Sequence, residues 1–128
     1  MIYLDSSVVL AYLLVETERP ADELLGGPVV TSRLVQYEVW NRLHAYGKVV
    51  THGAAARALL ARIAMLELTP DVLARAVDPF PLPVRTLDGL HLAPIEHLRR
   101  DRQPVALATY DRRMQAAAVA MGIPLVAL

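Results

Sequence analysis

Polar residues interrupt the apolar positions of this chain at two spacings, one typical of strands and one typical of helices. The first apolar run, at 1–4, has the length of a buried strand and stops at Asp5. The stretch 6–15 is too long for one strand and is flanked by cap-type residues, so it predicts a short buried helix. In open α/β sheets, ligands bind at the carboxyl ends of the strands, so a carboxylate at the end of a buried strand is a candidate site residue.

The same alternation continues to the C-terminus. Helical spacing and boundary residues predict further helices within 16–27 and at 32–46, 51–66, 70–77, 88–100 and 111–121. Short apolar runs predict strands at 28–31, 67–69, 105–109 and 124–128. The proline-rich segment 78–83 predicts a loop, because prolines remove backbone donors and restrict their neighbours.

This order predicts an α/β fold of three layers, with a mostly parallel central sheet of about four to five strands and helices on both faces. The 128 residues are one domain of ordinary size, spanning 1–128. A hydrophobic fraction of 55% and a mean hydropathy of +0.35 are high for so small a protein. They predict an exposed apolar surface that a partner or a second copy covers.

Charge and cysteine content narrow the class of protein. The 13 basic and 13 acidic residues cancel, so any contact with nucleic acid must be local. The absence of cysteine excludes disulfides and thiolate metal sites and favours a cytoplasmic protein. We expect neither a signal peptide nor a membrane span, because an acid interrupts the first apolar run and the other apolar runs are short.

Four acidic residues stand at or near the predicted starts of helices. Asp5 and Asp111 follow two strands, Asp88 opens a helix, and Glu38 lies inside another helix among apolar neighbours. Because the carboxyl ends of parallel strands share one edge, the two strand-end acids should be neighbours if their strands are adjacent, and the other two could converge on the same crevice.

Each acid also has a simpler role. Asp5, Asp88 and Asp111 precede apolar helices, where aspartate is a favoured N-cap, and Glu38 is one turn from Arg42, a possible salt-bridge partner. If all four meet, their repulsion requires a cation, and an all-oxygen set suits Mg²⁺ or Mn²⁺. Such a centre would activate water against a phosphodiester.

Four segments of the sequence carry a family resemblance: Ile2-Tyr3-Leu4-Asp5-Ser6-Ser7, Tyr37-Glu38-Val39, Arg85-Thr86-Leu87-Asp88-Gly89-Leu90-His91-Leu92-Ala93 and Ala108-Thr109-Tyr110-Asp111-Arg112-Arg113-Met114. In this order and separation they resemble the PIN-domain family, and more narrowly the VapC-type ribonuclease toxins of toxin–antitoxin pairs. The resemblance runs along the whole chain.

This resemblance implies a Mg²⁺- or Mn²⁺-dependent RNA phosphodiesterase whose acidic quartet is Asp5, Glu38, Asp88 and Asp111. It also implies a homodimer and a cognate antitoxin. In it, Ser6 and Thr109 match the supporting hydroxyl residues. Arg85, Arg112 and Arg113 border the expected crevice, where they could hold RNA phosphates, although each also fits a solvated surface charge. Two departures, Gly89 in place of the usual alanine and Pro94 early in the helix, bear on how the third acid is aimed.

Two other functions fit parts of the same pattern. A PIN-like binding module without turnover would act through a protein partner and keep the acids unused. A phosphatase or receiver-like domain also places aspartates at strand ends, but Ser7 occupies the position of the second acid in the Asp-x-Asp signature of one phosphatase class, and no lysine follows a late strand. His91 and His97 lack the spacing of helical metal pairs, so we expect His91 to be packed in the interior.

Overall fold

A four-stranded parallel sheet organises the chain. The computed structural model describes residues 1–14 and 19–128, so the parts of the predicted helices that fall on 15–18 lie outside the described residues. The strands are β1 (Ile2–Leu4), β2 (Val29–Ser32), β3 (Ala64–Leu66) and β4 (Ala106–Ala108), in the order β3-β2-β1-β4. β1 is therefore central and pairs in parallel with β4, as the placement of two acids at one edge requires.

Helices connect the strands and cover both faces of the sheet. They are α1 (Ser6–Leu14), α2 (Arg33–Ala45), α3 (Val49–Ala61), α4 (Pro70–Ala76), α5 (Thr86–Arg100) and α6 (Arg112–Ala120), with a short 3₁₀ helix at Asp22–Gly26. No helix in the described ranges is long and apolar enough to cross a membrane.

Successive residues of β1 pack into different cores, because side chains alternate across a strand. Leu4 lies in a cluster with buried residues of α1, α2 and α3, including Val35 and Val39. Tyr3 points to the other side, where it packs with residues of α5 and α6 such as Leu92 and Met114. The expected three-layer α/β architecture is therefore confirmed.

Two predicted boundaries around the third strand are wrong. The helix expected to reach 66 ends at Ala61, and the strand is Ala64–Leu66 instead of 67–69. Alanine, leucine and methionine are all good helix formers, so helical propensity could not mark this change. Pairing with β2, where Val30 lies opposite Ala64, decides the strand position.

Two other elements also differ from expectation. The predicted last strand at 124–128 is reduced to one parallel bridge between Leu107 and Leu125 in the described structure. Helix α5 begins at Thr86, two residues before the predicted start, and continues through Pro94. Asp88 is thus not the residue that caps this helix from outside but the third residue within it.

Candidate active site

The four predicted acids open onto a single pocket. It has a volume of about 730 Å³ and lies where β1 and β4 end. Asp5, Glu38, Asp88 and Asp111 all line it. The topology explains this meeting, because β1 and β4 are adjacent and parallel and the residues that follow them emerge at the same edge.

Hydroxyl groups fix Asp5 at the base of the pocket. Its Oδ2 accepts hydrogen bonds from Thr109 Oγ1 at 2.8 Å and from Ser7 Oγ at 2.9 Å. Each hydroxyl is itself anchored by a backbone N–H, that of Asp111 on Thr109 and that of Tyr110 on Ser7. Oδ1 makes longer contacts, 3.4 Å with the hydroxyl of Ser6 and 3.6 Å with His91 Nε2, so one carboxylate oxygen is held by short hydrogen bonds and the other is not.

Asp88 and Asp111 also each commit one oxygen to the start of a helix. Asp88 Oδ2 accepts from the backbone N–H of Arg85 at 3.2 Å, and Asp111 Oδ1 accepts from the backbone N–H groups of Arg113 and Met114. The capping role expected of Asp111 is therefore real, and it leaves Oδ2 for another partner. Capping and lining the pocket are compatible roles.

Glu38 pairs with His91, and not with Arg42, the partner that its simpler role would give it. Its Oε1 lies 2.6 Å from His91 Nε2, and the same nitrogen lies 3.6 Å from Asp5 Oδ1. The imidazole is 3% exposed, so the contact is sheltered from water. Neither Glu38 Oε1 nor His91 Nε2 has a well-aligned hydrogen bond within the described residues, which makes this a close ion-pair contact with imperfect geometry.

The contacts of His91 favour its charged form. The Tyr3 hydroxyl donates to Ser32 Oγ at 2.9 Å, so its oxygen must accept from His91 Nδ1 at 3.2 Å. A proton is also needed between Nε2 and Glu38 Oε1, because two lone pairs 2.6 Å apart would repel, and imidazole is ordinarily the stronger base of the two. Burial alone would lower the pKa of His91, but the contact with Glu38 and the nearby charge of Asp5 raise it above its ordinary value.

His91 is the residue of the site that sequence reasoning missed. We expected it to be packed, which is correct, but not to contact two of the acids. The sequence did indicate that Glu38, if buried, would need a compensating cation, because burying an unpaired carboxylate is costly. Its source could not be named because Tyr3, Glu38 and His91 come from three separate elements.

The three predicted RNA-contacting arginines separate into two groups. Arg85 and Arg113 line the pocket, whereas Arg112 is exposed and is not part of the lining. Arg113 Nη2 lies 3.7 Å from Asp111 Oδ2 and 4.0 Å from Asp88 Oδ2. A guanidinium therefore sits beside the two acids at the outer part of the pocket.

The donor set suits a hard divalent cation, although its spacing does not enclose one. Each of the three aspartates has one oxygen that is not committed to a short hydrogen bond, and carboxylate oxygens are preferred ligands of Mg²⁺ and Mn²⁺. Within residues 1–14 and 19–128, however, no three acidic or histidine side chains form a cluster that could hold one ion as they stand. An ion at this place would therefore depend on water ligands, which Mg²⁺ usually keeps in proteins, or on rotation of these side chains.

The fold and the acidic pocket together define an α/β domain with a candidate hydrolytic site at the edge of its sheet. Residues 2–120 match the PIN domain family, and the chain belongs to that family. It is 35% identical to ribonuclease VapC46 of Mycobacterium tuberculosis (strain ATCC 25618 / H37Rv) over 129 residues, which cover 98% of this chain and 96% of the relative. Ribonuclease VapC35 of the same species (strain CDC 1551 / Oshkosh) is 31% identical over 134 residues, covering 99% and 96%.

A solved structure shares the architecture. It is a toxin–antitoxin complex from Klebsiella pneumoniae, whose matching chain superposes with a TM-score of 0.69 at 17% identity. The match covers 99% of this chain and 97% of that one. At this identity the likeness concerns the fold, which is the one that the sequence predicted.

Proposed function

We propose that this protein is a Mg²⁺- or Mn²⁺-dependent endoribonuclease and the toxin of a toxin–antitoxin pair. The observation that carries the proposal is that four carboxylates, from β1–α1, α2, α5 and β4–α6, line one pocket. The ribonuclease relatives and the whole-length family match support the same activity.

The residues of the pocket have distinct roles in this proposal. Asp5, Asp88 and Asp111 hold the ion with the oxygens that they do not commit to the fold, and Glu38 completes the acidic set. A bound ion supplies a water of lowered pKa and neutralises charge on the phosphodiester. Ser7 and Thr109 keep Asp5 in one orientation through their hydrogen bonds to its Oδ2.

Cationic side chains handle the remaining charge. His91 offsets the charge of Glu38 and Asp5 inside the protein. Arg85 and Arg113 line the pocket and are placed to contact phosphates of the RNA. For Arg113 this requires the guanidinium to leave the two aspartates beside it when an ion binds.

The test is cleavage of single-stranded RNA by the purified protein. We expect cleavage with Mg²⁺ or Mn²⁺, none in EDTA, and a loss of about a thousandfold in Asp5→Asn and in Asp88→Asn. Asp71→Asn is the matched control, because Asp71 lies on α4 and is not part of the pocket lining. Cleavage that continues unchanged in EDTA would show that the metal mechanism is wrong.

We also propose an antitoxin partner and a homodimer. Large apolar side chains remain exposed, among them Val119 on α6 at 64% and Val77 at 84%, and they supply surface for such contacts. Expression of the chain alone should arrest growth, and co-expression of the protein encoded beside it should restore growth. Light scattering of the purified protein should give twice the mass of the 14.1 kDa chain.

One observation favours a second candidate, a PIN-like binding module without turnover that acts through a protein partner. His91 and Arg113 already offset part of the charge of the four acids, and the described side chains do not enclose an ion. Calorimetric titration separates the two functions: Mn²⁺ binding that is lost in Asp88→Asn supports the nuclease, and no Mn²⁺ binding by the wild-type protein supports the module.

A further inference from the structure

Three side chains form a row along α2, from the acid Glu38 to Tyr46 just after the end of the helix. Glu38, Arg42 and Tyr46 all line the pocket and are spaced four residues apart, so they share one face of the helix. Eight residues of helix span about 12 Å, which is the length of about three to four stacked nucleotides. The row begins with an acid, continues with a cation and ends with an aromatic ring.

Tyr46 ends this row as an exposed ring in a cationic setting. It follows the last residue of α2, and the turn continues through Gly47, whose φ of 65° is readily adopted by glycine. The ring is 53% exposed. The guanidinium carbon of Arg42 lies over the ring at 5.8 Å from its centroid, and Lys48 Nζ lies over it at 6.0 Å, so a base that stacks on this ring would meet two flexible cationic side chains.

An exposed aromatic ring and neighbouring cations are the two features of a single-strand binding surface. In such a surface the ring stacks on a base and the cations bind the backbone phosphates. A paired base does not expose its face, so the chemistry selects unpaired RNA. We propose that Tyr46 stacks an unpaired base of the RNA while Arg42 contacts a phosphate between that base and the acids. This inference rests on the proposed ribonuclease function and names the path of the substrate at that site.

The experiment measures RNA binding without cleavage. Fluorescence anisotropy in EDTA follows a labelled RNA of about twelve unpaired nucleotides. We expect Tyr46→Ala to weaken binding by at least about fivefold and Tyr46→Phe, which retains a stacking ring, to bind within about twofold of the wild type. Tyr37→Ala is the matched control, because Tyr37 is 66% exposed on the same helix but is not part of the pocket lining.

Salt dependence tests the phosphate contact. Arg42→Gln should reduce the slope of log affinity against log salt concentration by about 0.7, the value for one phosphate of a single strand. The matched control is Arg57→Gln, because Arg57 stacks on Trp40 and is not part of the pocket lining. Its slope should equal that of the wild type.

Several results would overturn the inference. The inference is wrong if Tyr46→Ala binds the RNA with wild-type affinity, or if Tyr37→Ala loses as much affinity as Tyr46→Ala. It is also wrong if a blunt RNA duplex competes with the labelled RNA as well as an unlabelled single strand does, or if the wild type does not bind at about 10⁻⁴ M protein. Failure of the proposed function is a separate result, because it appears as missing cleavage in Mn²⁺. A protein that does not cleave RNA but loses affinity in Tyr46→Ala alone would still have the binding site.

Discussion

The inner and the outer part of the pocket each contain two neighbouring carboxylates, and a different kind of cation compensates their negative charge in each part. In the inner part, Glu38 and Asp5 face the imidazole of His91, which is 3% exposed. In the outer part, Asp88 and Asp111 face the guanidinium of Arg113, which is 47% exposed. Both parts place a cation beside two carboxylates, but only the inner cation is enclosed by the protein.

The two parts differ because water screens the charges of the exposed outer part far more than those of the buried inner part. A buried carboxylate pair without a cation is costly, so the inner cation is part of the folded structure. Near the surface, solvent weakens the attraction between charges, and an exposed ion pair contributes little to stability. The inner pair should therefore govern stability, while the exposed outer arginine can move at little cost in folding free energy.

Removing the inner cation should have the largest effect. His91→Phe keeps a ring of similar shape but leaves Glu38 and Asp5 uncompensated, and we expect it to lower the free energy of unfolding by about 3 kcal/mol. Urea denaturation of the metal-free protein in EDTA measures this change. Tyr3→Phe, which removes the partner of Nδ1 and the hydrogen bond to Ser32 Oγ but keeps the imidazole, should cost about 1–2 kcal/mol. Equal losses in the two variants would contradict the assigned role of His91.

The stability difference between wild type and His91→Phe should also depend on pH. The folded-state pKa of His91 is raised, so its contribution is fully present below the unfolded value of about 6.5. It is lost as the pH rises through the folded-state value. Denaturation series from pH 6 to pH 9 should therefore show the two proteins converging at the alkaline end, and a difference that grows with pH would contradict the prediction.

Removing the Thr109 hydroxyl, one of the two that orient Asp5, should have the next largest effect. Thr109→Val preserves shape but removes a 2.8 Å hydrogen bond to Asp5 Oδ2 and leaves the backbone N–H of Asp111 without this acceptor. We expect a loss of about 1–2 kcal/mol in the free energy of unfolding and about tenfold in RNA cleavage. Thr109→Ser retains the hydroxyl and should restore most of the activity. Cleavage by Thr109→Val at the wild-type rate would show that Asp5 needs no such support.

The sequence predicts the three aspartates of the pocket better than the contacts of His91. Asp5, Asp88 and Asp111 stand where strands end or helices begin, and those local boundaries are visible in residue patterns. The alternation of elements also predicts that β1 and β4 are parallel, which brings two of the acids together. Local patterns were therefore sufficient for the fold class and for placing Asp5 and Asp111 at one edge of the sheet, whereas the grouping of all four acids came from the family resemblance.

The inner contacts depend on packing between distant elements. His91 reaches Glu38 only because α5 and α2 approach the same end of β1 from opposite faces of the sheet. On its own helix, His91 is one polar residue among buried apolar ones, which is also the pattern of a histidine without a functional partner. The position of β3 escaped prediction for the same reason, because only its pairing with β2 distinguishes it from helix.

A smaller effect is expected for the outer cation. Arg113→Gln should change the free energy of unfolding by less than about 1 kcal/mol, because the pair is solvent-exposed. It should also raise the affinity for Mn²⁺ by a few-fold, since a positive charge beside Asp88 and Asp111 opposes the ion. Calorimetry measures both, with Arg112→Gln as the control outside the pocket lining. A decrease in Mn²⁺ affinity would assign Arg113 a supporting role at the metal site.

The smallest effect should come from Gly89, the residue that departs from the family pattern beside Asp88. A Cβ at this position would lie 3.3 Å from Phe80 Cε2, so the ring must shift by a few tenths of an ångström. Phe80 belongs to a loop and is only partly buried, and alanine is favoured over glycine within a helix by up to about 1 kcal/mol. We therefore expect Gly89→Ala to raise the free energy of unfolding by less than about 1 kcal/mol.

RNA cleavage by Gly89→Ala should remain within about twofold of the wild type. Asp88 is oriented by the hydrogen bond that its Oδ2 accepts from the backbone N–H of Arg85, and a methyl group at 89 does not alter that bond. A hundredfold loss of cleavage with unchanged stability would instead mean that Phe80, packed against position 89, sets the direction of the third acid. The outer part of the pocket would then depend on tight packing, as the inner part does.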